Sequence, residues 1–233
     1  MPCTLPASLA DAAVCRGSFH AVLGGEAGEA VFADFSAALQ KAQAEGRILT
    51  ASLFRYENQL FFYAEGLNRP FTPQGLCPAL DAALLPWPPA LGEAAPRPWA
   101  AMQPYFYHDV PTTAADWQQG RCPQRRRGRI ALLPPDSWCS YMEHHLRIVT
   151  EGLVEGDRWH LICVQEGVLF SYLEEPRTNV NIKHQPGAHS PELDAWIAAD
   201  PESHFARFTP EQKAHPDSSH NFVFLPRIAG TED

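Results

Sequence analysis

The chain contains itself twice. Residues 55–65 read RYENQLFFYAE and residues 164–174 read VQEGVLFSYLE. At a constant offset of 109, Glu57 matches Glu166, Leu60 matches Leu169, Phe61 matches Phe170, Tyr63 matches Tyr172 and Glu65 matches Glu174. The same spacing pairs Leu84 with Leu193 and Trp87 with Trp196. Upstream, Gly17 and Gly128 precede the apolar runs Phe19–Leu23 and Ile130–Leu133; downstream, Tyr105-Phe106-Tyr107 and Phe222-Val223-Phe224 each close a half. A colinear series of this kind restricts the fold to one built from two similar units.

Each half reads in the same order. A short strand (about 18–23 and about 128–133) precedes an amphipathic helix (about 28–45 and about 137–155). In the first copy Phe32, Phe35, Leu39 and Ala42 form a helical stripe ended by Gly46. In the second, Asp136 caps a stripe of Trp138, Met142, Leu146, Val149 and Leu153. Two strands joined by tight turns follow, Glu57-Asn58 and Glu166-Gly167, where Asn and Gly tolerate the positive φ of a two-residue hairpin. A second helix (about 76–85, and about 191–199 with Ser190 as cap and Pro191 at the first position) and a last strand complete each half.

The order β-α-β-β-α-β is that of the ferredoxin-like unit. Its sheet carries helices on one face and leaves the other bare, so a second copy is the natural cover. The expected fold is therefore α+β: two tandem ferredoxin-like repeats packed sheet to sheet as an intrachain pseudo-dimeric α+β barrel. The first repeat occupies 1–110, a linker 111–127 and the second repeat 128–233. Pro86 through Pro104 reads as an ordered irregular loop.

Composition narrows the function. The 233 residues are 45% hydrophobic and 19% charged, enough for a core and neither disordered nor fibrous. A net charge of −9 argues against a nucleic-acid or membrane-surface partner, which needs a basic face. The one basic run, Arg125-Arg126-Arg127 with Arg121 and Arg129, reads as a solvated linker. No stretch is long and apolar enough for a membrane span, and the N-terminus carries Asp11 without a basic region, so a cytoplasmic location is expected. The six cysteines show no CxxC pair, and the adjacent His144-His145 point to different helix faces, so no metal is expected. Because the duplication supplies its own partner sheet, a monomer is expected.

The chemistry-bearing residues concentrate in the second half. Tyr141 and His145 are spaced i, i+4, which brings them together on one helical face, and Glu151 follows. An imidazole beside a phenol is a plausible acid/base pair; the bland alternative is a histidine satisfied by a local hydrogen bond. In the first copy the corresponding places fall near Val31 or Phe32 and Phe35 or Ser36, so that half has no such pair. Candidate substrate-binding groups are Glu151, Trp159, His160, Tyr172, Glu174 and His204. Strand alternation sets Phe170, Tyr172 and Glu174 on one face, suited to a polar lining, and Leu169 and Ser171 on the other. Glu65 and Glu174 fit a structural charge at a strand end or a shared site equally well. Trp87 and Trp196 read as core, and His184, His189, His215 and His220 as loop residues.

Tyr141-x-x-x-His145, Glu151, the strand Leu169-Phe170-Ser171-Tyr172, Trp196 and the closing Phe222-Val223-Phe224-Leu225-Pro226 together resemble the L-rhamnose mutarotase family over about residues 128–227. The resemblance implies a dimeric α+β barrel that interconverts pyranose anomers without cofactor or metal, with His145 moving the proton and Tyr141 assisting. Val149 stands where that family has a Trp, and this chain is double where the family's subunit is single. The expected function is thus a mutarotase-like isomerase of carbohydrate metabolism acting on a monosaccharide. The alternative is a non-catalytic carbohydrate or small-molecule binding protein on the same barrel.

Overall fold

The computed structural model describes residues 6–151, 154–177, 183–184, 190–213 and 216–231. The chain is α+β, and among the described residues every strand pairing is antiparallel. It divides into two compact units: Met1–Met102 with Pro111–Gln124 and Pro226–Asp233, and Gln103–Val110 with Arg125–Leu225.

In the first unit, β1 (Val14–Leu23), α1 (Glu29–Ala44), β2 (Ile48–Tyr56), β3 (Gln59–Leu67), α2 (Pro78–Ala82), the short β4 (Leu84–Leu85) and the opening residues of β5 (Ala100–Tyr107) follow in order. The strands lie in the order β5-β1-β3-β2, with β4 against the end of β1. The helical stripe packs as its spacing dictates: Phe32, Phe35, Leu39 and Ala42 are all buried against Ala21, Leu60, Phe62 and Leu53. Burying side chains such as Phe35 and Leu39 contributes about 1.5–3 kcal/mol each. Gly46 ends α1 at φ 69°, the left-handed position that closes a helix. The other face of the same sheet is polar and yet buried: Ser18, His20, Tyr63 and Glu65 are at most 4% exposed.

The segment expected to be a linker contains a helix, α3 (Ala114–Gln118), capped by Thr113 Oγ1 accepting from the Asp116 N–H at 3.2 Å. Its Trp117 is fully buried in the first unit.

The second unit comprises β6 (Arg125–Leu132), α4 (Pro135–Glu151), the two-residue β7 (Val154–Glu155), β8 (Leu161–Gln165), β9 (Val168–Glu175), the two-residue β10 (Lys183–His184), α5 (Pro191–Ala198) and β11 (Val223–Leu225). Its main sheet runs β11-β6-β9-β8, with Gln103–Tyr107 of β5 beside β8. A core of Ala131, Ile162, Val164 and Leu169 meets Tyr141 and Ile148 of α4 and Trp196 of α5. Finally, β12 (Arg227–Gly230) pairs with β2 and so belongs to the first unit, whereas the sequence placed everything through residue 233 in the second half.

Two expectations are corrected here. The basic run is no solvated linker: it forms β6, where Arg125, Arg126 and Arg127 lie opposite Glu175, Glu174 and Leu173 and pair with the two carboxylates. In both hairpins the positive φ falls on the glutamate, 53° at Glu57 and 50° at Glu166, and not on the Asn or Gly that follows. Among the described residues, no helix is long and apolar enough to cross a membrane.

Candidate functional site

The candidate site of the second unit begins at α4. Tyr141 and His145 are 4% and 3% exposed, so the i, i+4 pair faces inward as its spacing requires. His145 Nδ1 lies 2.9 Å from the Tyr141 carbonyl oxygen, to which a protonated Nδ1 donates. That bond fixes the tautomer and leaves Nε2 with its lone pair. Around the imidazole stand aromatic rings: Trp196 at 4.4 Å and Phe106 at 4.9 Å meet it edge-on, as does Tyr105 at 5.4 Å, while Tyr141 leans over it at 4.2 Å. Burial among these rings pushes the His145 pKa down to about 4, outweighing the opposing pull of the Tyr141 carbonyl. The ring is therefore neutral across the physiological range.

The polar side of the cluster comes from β5 and β6. Because Ala131 and its partner Leu169 face the helices, Arg129 and its partner Ser171, two residues along, face the same way. Arg129 rests over the Phe222 ring at 4.2 Å, and its buried Nε has no hydrogen-bond partner among the described residues. Burial and the neighbouring Arg177 lower its pKa to about 10, which still leaves it cationic at neutral pH; the Tyr141 and Tyr105 hydroxyls pull the other way. Tyr105 is held well above the usual phenol range, first by burial and then by Tyr141; its hydroxyl couples to Tyr141 but has no well-aligned hydrogen bond. Burial likewise raises Tyr141, against the Tyr105 hydroxyl and Arg129. Both phenols are thus neutral donors.

The remaining expected site residues divide among several places. His204, half-buried at the end of a short 3-10 turn, stacks beside Trp196 at 6.5 Å and lies 5.9 Å from Tyr141, with its buried Nδ1 unpartnered among the described residues. It joins the cluster. Trp196 joins it too and is core as expected, whereas Trp87, read as core by the same match, is half-buried on its irregular loop. Tyr172 and Glu174 do not: they sit on the sheet face away from α4, bonded to each other at 2.6 Å, with Arg126 Nε 3.5 Å from the carboxylate. His160 stacks on His108 at 6.0 Å and reaches Phe106 at 6.2 Å, a ring that also meets His145 at 4.9 Å. Burial lowers the His108 pKa, opposed by Asp157, which is itself paired with Arg177. Trp159 is half-buried in the turn before β8. The side chains of Glu151, Val149 and His184, together with His189 and His215, lie outside the described residues.

Sequence reasoning missed Arg129 and Tyr105. Arg129 was folded into a basic run, although one signal was available: it alternates with Ala131 on a strand whose helix-side face is apolar. Among the described residues, no three His, Cys, Asp or Glu side chains converge as metal ligands.

No family model matches the chain, and no curated protein matches it. Among solved structures, a putative monooxygenase from Lactobacillus acidophilus NCFM matches with a TM-score of 0.38 and 7% identity, over 94% of this chain and 96% of that one. A second putative monooxygenase, from Fusobacterium nucleatum subsp. nucleatum, matches at 0.39 and 7%, over 94% of each chain. An anthrone oxidase-like protein matches at 0.38 and 7%, over 92% of each. The L-rhamnose mutarotase resemblance, and with it the isomerase activity, the pyranose substrate and the carbohydrate-binding alternative, is corrected. The solved structures matched bear the names putative monooxygenase and anthrone oxidase-like protein, and none the name mutarotase. Among the described residues the walls around His145 are aromatic and no carboxylate is among the groups that shift it, whereas sugar hydroxyls call for such acceptors.

Proposed function

We propose that the second unit is a small-molecule enzyme working by proton abstraction, with His145 as the base. The substrate is a flat molecule carrying a C–H or O–H made acidic by an adjacent carbonyl. His145 Nε2 takes the proton; the electron pair left behind moves onto the carbonyl oxygen. Arg129 and the hydroxyls of Tyr105 and Tyr141 stabilise that oxygen's charge, an arrangement effective because it is dry and preset. Although the free imidazole is a weak base, an anion forming beside it favours its charged form. Trp196, Phe106 and Tyr105 supply the aromatic walls that suit a planar substrate.

One observation carries this reading: a neutral, tautomer-fixed imidazole and a cationic arginine whose Nε lacks a partner among the described residues share the same two tyrosines. The shared β-α-β-β-α-β order, with the fourth strand beside the first, supports a related reading, that the units are duplicated ferredoxin-like repeats of which the second kept this site.

The test is hydrogen–deuterium exchange at the acidic carbon of 2-tetralone, followed by proton NMR. The protein is expected to accelerate exchange, and His145→Gln to remove roughly 10²–10⁴-fold of that acceleration. Exchange no faster than in buffer, or undiminished in His145→Gln, overturns the proposal.

A further inference from the structure

The matched tryptophans share a property that their alignment did not assign: each lies against a buried histidine of its own unit. Trp196 meets His145, and Trp87 meets His20 with ring centres 5.4 Å apart. The Pro-rich excursion delivers Trp87 there. Its backbone N–H donates to the Arg97 carbonyl at 2.7 Å and its carbonyl accepts from the Arg97 N–H at 3.0 Å, closing the loop and fixing the indole beside β1.

His20 is 4% exposed and stands on the sheet face away from α1. Its ring stacks flat on Phe61, 4.7 Å between centres and 6° between planes. Its Nε2 lies 2.7 Å from Gln59 Oε1, and Gln59 Nε2 donates to Asn58 Oδ1 at 2.9 Å. The imidazole is thus held in one orientation by an amide that is itself held. Two polar atoms beside it have no hydrogen-bond partner among the described residues: the buried Trp87 Nε1, and Oγ of Ser18, two positions along the same strand face and 2% exposed. A buried donor and a buried hydroxyl left open next to an oriented imidazole destabilise the fold unless something completes them.

We propose that the first unit binds a small flat ligand at His20, whose carbonyl or carboxylate oxygen accepts from the Trp87 Nε1–H while its polar edge meets Ser18 Oγ. The oxygen is required because an indole nitrogen only donates. Flatness follows from the Phe61 and Trp87 rings that flank the imidazole. This site is separate from the one at His145 and does not depend on its chemistry.

The full chain, labelled with ¹⁵N at tryptophan, tests the proposal through its indole N–H resonances, with Trp87→Phe identifying the signal of Trp87. Titration with benzoate or with benzamide is expected to move that signal downfield and saturably, and whichever acts distinguishes a carboxylate from a neutral carbonyl. Ser18→Ala is expected to weaken binding by about fivefold, the loss of one hydrogen bond, and His20→Phe by a similar factor because it releases the Gln59 amide that orients the site. The remaining indole signals report that the variants are folded, and His145→Gln leaves the titration unchanged. A Trp87 signal that neither probe moves, or midpoints unchanged in both the Ser18 and the His20 variants, overturns the proposal.

Discussion

The Tyr172 hydroxyl donates a 2.6 Å hydrogen bond to Glu174 Oε1, and 109 residues earlier Tyr63 donates a 2.6 Å bond to Glu65 Oε1. The two halves thus share a working contact as well as letters. In the first, Arg121 grips Glu65 with two bonds of 2.7 and 3.0 Å, and Arg16 Nε donates to the Tyr63 hydroxyl at 3.0 Å. In the second, the arginine comes from Arg126, the cross-strand neighbour of Glu174, as Arg16 is of Glu65.

Glu65 is completely buried, and burial alone would raise its pKa; Arg121 and the Tyr63 bond overcome this and bring it below the ordinary carboxylate value. The carboxylate therefore contributes stability that is present above the unfolded-state pKa of about 4.3 and is lost as pH falls through the lower folded value. Glu65→Gln strands the buried Arg121 guanidinium and is expected to cost about 3 kcal/mol, with Tyr63→Phe costing about 1–2 kcal/mol. Urea midpoints measured between about pH 3 and pH 7 check both; a Glu65→Gln variant as stable as the parent at neutral pH would contradict the network.

His145 acts in a different window. Its folded pKa, about 4, lies below the ordinary 6.5, so the unfolded chain binds the extra proton first. Stability is expected to fall as pH drops from about 6.5 to about 4 and then to stop responding to this group, a loss of about 3 kcal/mol in all. His145→Phe should flatten that part of the profile. A parent protein equally stable at pH 7 and pH 5 would show that the imidazole is not held neutral.

Close backbone approach sets a third expectation. A Cβ on Gly167 would sit 2.8 Å from the Leu133 carbonyl oxygen, and one on Gly66 would sit 2.3 Å from that of Arg69, whereas Gly25 has open space. Gly66→Ala should destabilise more than Gly167→Ala, each by about 1–3 kcal/mol, with Gly25→Ala within about 0.5 kcal/mol of the parent. Thermal melts of the three variants give the ranking directly.

Tyr105 separates stability from function. Its buried hydroxyl lacks a well-aligned partner among the described residues, so Tyr105→Phe is expected to leave the free protein as stable as the parent or about 1 kcal/mol more so. The same change should slow 2-tetralone exchange about tenfold by removing a donor to the oxyanion. A marked drop in melting temperature would mean that the hydroxyl is structural.

Much of this architecture could be read beforehand because it is periodic. The stripe Phe32, Phe35, Leu39, Ala42 and the inward pair Tyr141 and His145 follow from helical spacing alone. What escaped depends on partners distant along the chain. Nothing local shows that Arg227–Gly230 will join β2, more than 170 residues away, and only its alternation with Ala131 marks Arg129 as turned under α4. The short helix at Ala114–Gln118 was hidden by its Pro- and Gln-rich flanks, although Thr113 and Asp116 mark its start. Mutarotase-like spacing around His145 was real as spacing. The ring environment that gives it a chemistry comes from Tyr105, Phe106 and Trp196, which no pattern around residue 145 contains.

The return of β12 to the first unit has a consequence for biosynthesis. Arg55 N–H bonds the Pro226 carbonyl at 3.1 Å, Arg227 Nε donates to Ser52 Oγ at 2.9 Å, and the Thr231 hydroxyl meets Thr50 at 3.2 Å. While the ribosome is still translating the middle of the message, the margin of the earlier sheet at β2 must wait uncovered. Cutting the gene between its two similar stretches would yield an amino-terminal fragment with an open, sticky border, and a peptide spanning residues 226–231 supplied in trans is what should mend it.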